Sequence, residues 1–212
     1  MTNQSESSQR LPSETGDGEI DRILSHPASE ARRTSVLAKV AQTPFQIAIV
    51  VTGGGTGILG HCFARAGASK NFLEGVVPYA RDALAEYLGE SFDLSCASAA
   101  AAERLAATAL LRATRFCEHD TRPVGLALTA ALPTVPERRG QDRIHLALDT
   151  GIDRRTLSVE LPKGQHTRAN AEAVAEELHL IALSRLIDDS DSAEASIRVL
   201  LDAGTQVIEV SR

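Results

Sequence analysis

A three-layer α/β/α domain with a mixed sheet is the fold class that this sequence predicts, and three observations predict it. Residues 45–51 (FQIAIVV) form a run that is apolar apart from Gln46 and rich in β-branched side chains, the pattern of a strand covered on both faces. A glycine-rich turn and a short helical segment follow that run directly. Residues 143–148 (RIHLAL) and 155–161 (RTLSVEL) then flank a short Asp/Gly/Asp turn, and the second of them alternates, as an antiparallel hairpin does. Parallel units early and a hairpin late make the sheet mixed.

The elements follow in order. Residues 1 to about 28 are rich in Ser, Glu, Thr, Gly and Asp, and such a segment is expected to stay a disordered tail. Ser29 can cap a helix whose Val36, Leu37 and Val40 form one apolar stripe, with Pro44 ending it. After the first strand, 58–66 (ILGHCFARA) reads as a short helix and 73–79 (LEGVVPY) as a second strand, with Pro78 marking its end. Residues 81–88 are a helix stopped by Gly89. Ser98 caps an alanine-rich helix running to Phe116, whose small side chains permit close approach to a sheet. Residues 124–129 (VGLALT) make the third strand, and a Pro/Arg/Gly loop leads to the hairpin. Thr167 caps the last long helix, in which Val174, Leu178, Ile181 and Leu186 recur at helical spacing. The domain is therefore expected over 29–188, with 189–212 a C-terminal tail carrying a doubtful helix.

Composition narrows function. The chain has 212 residues, 22 Lys+Arg against 28 Asp+Glu, and a formal net charge of -6, which supplies no electrostatic footprint for nucleic acid. No apolar run reaches the roughly 18 residues of a membrane span, and the N-terminus lacks an apolar signal core, so a cytoplasmic location is expected. Cys62, Cys96 and Cys117 are unclustered, and no Cys/His spacing suggests a metal; buried free thiols are the expectation. Only Lys39, Lys70 and Lys163 could serve a lysine-dependent mechanism.

The strongest local signal is VVTGGGTGILG at 50–60. Gly55, Gly57 and Gly60 satisfy GxGxxG between a strand and a helix, the context in which backbone amides and a helix N-terminus hold a pyrophosphate. A short-chain-dehydrogenase reading would make the chain an NAD(P)-binding oxidoreductase and Glu74 a ribose ligand. It needs a Tyr-x-x-x-Lys pair, yet Tyr79 is followed by ARDA and Tyr87 by LGES.

Residues 67–89 (GASKNFLEGVVPYARDALAEYLG) carry a different likeness. Together with the glycine turn, Cys96-Ala97-Ser98 opening the long helix, and 123–129 (PVGLALT), this segment resembles the C-terminal domain of the CinA (competence/damage-inducible) family, the nicotinamide-nucleotide amidases. The likeness covers residues 35–188. It implies that Thr52 stands where the family has its nucleophilic serine, with Gly53, Gly54, Gly55 and Thr56 completing the turn. It also implies that Tyr79 matches the family tyrosine and that Leu84 replaces the lysine expected as its base.

Leucine takes no proton, and the guanidinium of Arg81, one turn earlier, does not deprotonate in proteins. Thr52 and Tyr79 are thus the candidate catalytic residues of a machinery that looks lost or rebuilt. Gly53, Gly54, Gly55, Thr56, Gly57 and Arg81 are candidate ligand-binding residues. The implied function is binding of a phosphorylated small molecule, a nucleotide by preference, with no cofactor and no metal. An active amidohydrolase using Thr52, with His61 as the one rescuing base, stays open. So does a non-catalytic scaffold that forms a homodimer through its helices. Arg138 and Arg139 could clamp a phosphate or simply be solvated, and His145 is expected to be packed in its strand.

Overall fold

The computed structural model describes residues 14–89, 91 and 95–211. In chain order it contains α1 (Glu14–Leu24), α2 (Pro27–Val40), β1 (Phe45–Thr52), α3 (Gly57–Phe63) and β2 (Phe72–Val76). Helices α4 (Arg81–Leu88) and α5 (Ala99–Phe116) come next, followed by β3 (Arg122–Ala131), β4 (Asp142–Asp149) and β5 (Arg154–Leu161). The chain closes with α6 (Arg168–Leu186), α7 (Ser190–Asp202) and β6 (Val207–Ser211). One six-stranded sheet runs β2-β1-β3-β4-β5-β6. Strand β1 pairs in parallel with both β2 and β3, whereas β3-β4, β4-β5 and β5-β6 are antiparallel. The mixed sheet and the β4-β5 hairpin are as the sequence predicts, and the sheet is not the all-parallel, doubly wound one that a dinucleotide reading requires.

The two faces of the sheet are built differently. Ile47, Ile49 and Val51 of β1 join Leu126, Leu128, Ile144, Leu146 and Leu157 under α2 and α6, in a core of large aliphatic side chains. Ala48 and Val50 point the other way, with Ala127 and Ala147, against Ala102, Ala106, Ala109 and Ala113 of α5. Small residues on both surfaces bring α5 close. A Cβ on Gly125 of β3 would lie 2.0 Å from the Ala106 carbonyl oxygen and 2.4 Å from the Leu110 nitrogen. Helix α6 is buried almost all round, including Leu178, His179, Leu180 and Ile181, because α1, α2 and α7 pack over it.

Both termini depart from expectation. Residues 14–24 of the expected tail form α1, whose Ile20, Ile23 and Leu24 recur at helical spacing and pack on the main core; residues 1–13 lie outside the described residues. His26, not Ser29, caps α2, accepting from the Ala28 amide at 3.1 Å, with Pro27 at the first helical position. At the other end residues 189–211 of the expected 189–212 tail form helix α7, capped by Asp189, and then β6 paired to β5; residue 212 lies outside the described residues. Ala193, Ser196 and Leu200 bury one face of α7 at spacings of three and four. Strand β2 ends at Val76, leaving Pro78 and Tyr79 in the connection to α4. Ser98 caps α5 as read, accepting from the Ala101 amide at 3.2 Å, while Ser69 sits inside a 3-10 turn without capping it.

Candidate functional site

The glycine-rich turn connects the end of β1 to α3, and packing explains its glycines. Gly53 and Gly55 have φ of 80° and 78°, a left-handed conformation that favours glycine. A Cβ at Gly53 would lie 1.9 Å from the Ala130 carbonyl oxygen, one at Gly54 2.3 Å from Leu132 Cδ1, and one at Gly57 2.1 Å from Glu176 Oε1. The turn is therefore pressed against β3 on one side and α6 on the other. At Gly53, where the neighbour is backbone, and at Gly55, where φ is positive, the protein itself already demands glycine; at Gly57 the neighbour is the movable end of Glu176.

Three charged side chains of α6 meet the turn. Arg168, Glu172 and Glu176 recur at intervals of four and so share one helix face. The Gly55 amide donates to the Glu172 carboxylate. Arg168 pairs with Glu172 at 2.9 Å, and its Nη2 donates to the Gly53 carbonyl at 3.2 Å. Glu176 pairs with Arg33 of α2 at 3.1 Å and lies 3.4 Å from His61 Nε2. A carboxylate thus already takes the Gly55 amide, which the sequence assigns to a ligand anion. Thr56 and Gly57 at the start of α3 are exposed, and Thr56 makes no side-chain cap there.

Thr52 and Leu84 lie on the opposite face of the sheet. Thr52 is 6% exposed, and its hydroxyl donates to the Pro78 carbonyl at 2.9 Å. Leu84 is 1% exposed and packed with Ala48, Val50 and the alanines of α5. Tyr79 is 66% exposed beyond the end of β2, and Arg81 is exposed at the first turn of α4. The structure therefore brings Thr52 next to Pro78, one residue before Tyr79. His61 stays on the α6 side with Glu176.

Several polar residues weighed in the sequence take structural partners. Glu74 forms a two-pronged ion pair with Arg112, whose guanidinium also lies 5.4 Å from the centre of the Tyr87 ring. Burial, with Glu74 nearby, pushes the Tyr87 phenol up to about 12. Arg138 donates to the Leu132 carbonyl at 2.8 Å and to the buried Asp142 at 2.7 Å, so it braces its loop, while Arg139 is exposed. His145 Nδ1 lies 2.8 Å from Ser158 Oγ, and burial together with Arg143 holds its pKa down. Of the three thiols only Cys62 is buried, and burial pushes it up to about 12; Cys96 is exposed and Cys117 half-buried, which corrects the expectation for those two. Among the described residues no cluster of His, Cys, Asp and Glu could hold a metal, and no helix is long and apolar enough to cross a membrane.

An α/β protein of three layers, with a glycine-rich β1-α3 turn and an antiparallel extension of its sheet, is the class so defined. Its fold is that of the CinA superfamily. A CinA superfamily protein from Klebsiella pneumoniae superposes with a TM-score of 0.58 at 14% identity, over 76% of this chain and 98% of that one. A competence/damage-inducible protein from Agrobacterium tumefaciens gives 0.53 at 20% identity, over 83% and 99%. A CinA superfamily protein from Escherichia coli gives 0.52 at 16%, over 84% and 93%. No protein-family profile and no curated protein matches the chain by sequence.

Proposed function

We propose that this chain is a divergent CinA-like domain that binds a phosphorylated small molecule at the glycine turn and does not hydrolyse nicotinamide nucleotides. The observation that carries this reading is the closure of the Thr52 side. A serine-type amidase must deprotonate its hydroxyl and then supply a proton to the departing amine. Here the Thr52 hydroxyl donates to a carbonyl, and the position that the resemblance gives to a lysine holds Leu84, sealed among alanines.

The binding half rests on the α6 side of the turn. The Gly55 amide and the Arg168 guanidinium converge on one carboxylate, Glu172, and a phosphate oxygen matches what those two donors select. Glu172 then acts as an internal competitor that a ligand displaces. Thermal-shift titration with nicotinamide mononucleotide and AMP, on the wild type and Glu172→Ala, tests this. The expected result is a weak shift in the wild type and a larger one in the variant. No shift in either protein overturns the binding half and leaves a scaffold as the function. Ammonia release from nicotinamide mononucleotide above blank, abolished by Thr52→Ala, overturns the other half.

A further inference from the structure

A cavity lies at the other end of the sheet from the glycine turn. It has a volume of about 470 Å³, within the range of small-molecule sites, and it is open on one side. The chain ends that form it come from five elements: the first residues of β1, β3 and β5, the last of β4, and the C-terminal end of α6. Phe45, Pro123, Leu148 and Leu186 supply apolar walls, and the charged groups around them divide into two kinds.

Arg155 is committed, to Asp153 at 2.9 Å and to Glu209 at 3.4 Å, and Arg185 lies 3.5 Å from the same Glu209 carboxylate. Arg122 and Asp188 are not committed. Both line the cavity, both are exposed, and neither side chain has an ion pair or hydrogen bond with the described residues. They bring opposite charges to one apolar hollow from different elements.

We infer that this cavity is a binding site for a small zwitterion with an apolar body, an apolar amino acid or dipeptide, whose carboxylate pairs with Arg122 and whose ammonium pairs with Asp188. The apolar side chains of such a ligand would cover Phe45, Pro123 and the exposed Ile152. A simple anion would leave Asp188 unanswered and a simple cation would leave Arg122 so. The zwitterion satisfies both.

The test is an NMR titration of the full chain with leucine and leucyl-leucine, beside N-acetyl-leucyl-leucine and leucyl-leucine amide. At least one zwitterion is expected to bind saturably, shifting amides of residues 121–123, 148–155 and 185–188. Each blocked dipeptide is expected to bind about tenfold more weakly than leucyl-leucine if the dipeptide is the ligand, the factor that one charge-assisted hydrogen bond supplies. Where leucine alone binds, its methyl ester and N-acetyl derivative take the place of the blocked dipeptides. Arg122→Ala should abolish discrimination against the carboxyl-blocked form only. Asp188→Asn, which keeps a residue tolerant of the left-handed backbone at φ 56°, should abolish discrimination against the amino-blocked form only. Both side chains are exposed, so neither variant endangers the fold. No binding by either zwitterion, equal binding of the blocked forms, or discrimination unchanged in both variants would overturn the proposal.

Discussion

The α6 face and the α5 face of the sheet solve the same burial problem with opposite materials. Under α6 the contacts are large aliphatic side chains, and charged pairs are taken inside with them: Arg32 reaches Glu177 at 2.7 Å, Ser196 at 2.9 Å and Ser29 at 3.1 Å, tying α2 to α6 and α7. Under α5 the contacts are largely alanine on alanine, with Leu84 of α4 and Leu105 of α5 the large buried side chains. The difference teaches where chemistry has room. The face that would carry an amidase is closely packed and apolar, whereas the face that meets the glycine turn from α6 keeps ionisable groups within reach of backbone donors.

The comparison breaks most visibly at its buried charges. Glu177 is 3% exposed, and Arg32→Ala leaves it without its cation, so a loss of about 3–5 kcal/mol is expected in urea unfolding. Replacing both residues with apolar ones of similar size should recover much of that loss. An Arg32→Ala variant as stable as the wild type would show that this face does not depend on the pair.

A pH titration probes the same face. His179 is wholly buried in α6, and its pKa falls to about 4 because burial penalises the charged ring, partly offset by its 2.8 Å contact with the Ala175 carbonyl. The folded value lies below the ordinary 6.5, so the unfolded chain binds the extra proton between pH 6.5 and 4. Stability is therefore full above pH 6.5 and falls as the pH drops towards 4, by on the order of 3 kcal/mol. Unfolding midpoints from pH 7 to 4.5, for the wild type and His179→Leu, should show the slope flattened in the variant.

On the α5 face the sensitive change is an addition. Gly125→Ala places a methyl group 2.0 Å from a helix carbonyl oxygen that cannot swing aside, and a loss of about 1–3 kcal/mol is expected. A neutral outcome in thermal unfolding would mean that α5 is held less closely than described. The smallest effect belongs to the cap of α5. Ser98→Ala removes the acceptor of the Ala101 amide and should cost about 1 kcal/mol, with the helix start losing hydrogen-exchange protection first.

Much of the fold was legible. The strand at 45–51, the hairpin, and the caps Ser98 and Thr167 follow from periodicity and local chemistry, which act over a few residues and need no knowledge of the rest of the chain. The ends were not. Residues 14–24 and 190–211 are polar enough to look like tails, and their few apolar side chains become decisive only once α6 and β5 stand beside them. At the turn the glycines were visible, but their packing partners Ala130, Leu132 and Glu176 lie between about 75 and 120 residues away. Arg168, Glu172 and Glu176 carry a sequence signal of their own, because a spacing of four on one helix gathers charge along one side, but the turn they meet is set only by the tertiary fold.

The sequence by itself determined that a mixed α/β domain would form, with a glycine-rich turn after its first strand and a leucine at residue 84, because residue type and hydrophobic period are local properties. Only the tertiary structure decided what those features mean. The contact of Gly55 with Glu172, the commitment of the Thr52 hydroxyl to Pro78 and the meeting of Arg122 and Asp188 at one cavity all depend on which distant segments share a layer. That choice is made by burial summed over the whole chain, which no single window of sequence contains.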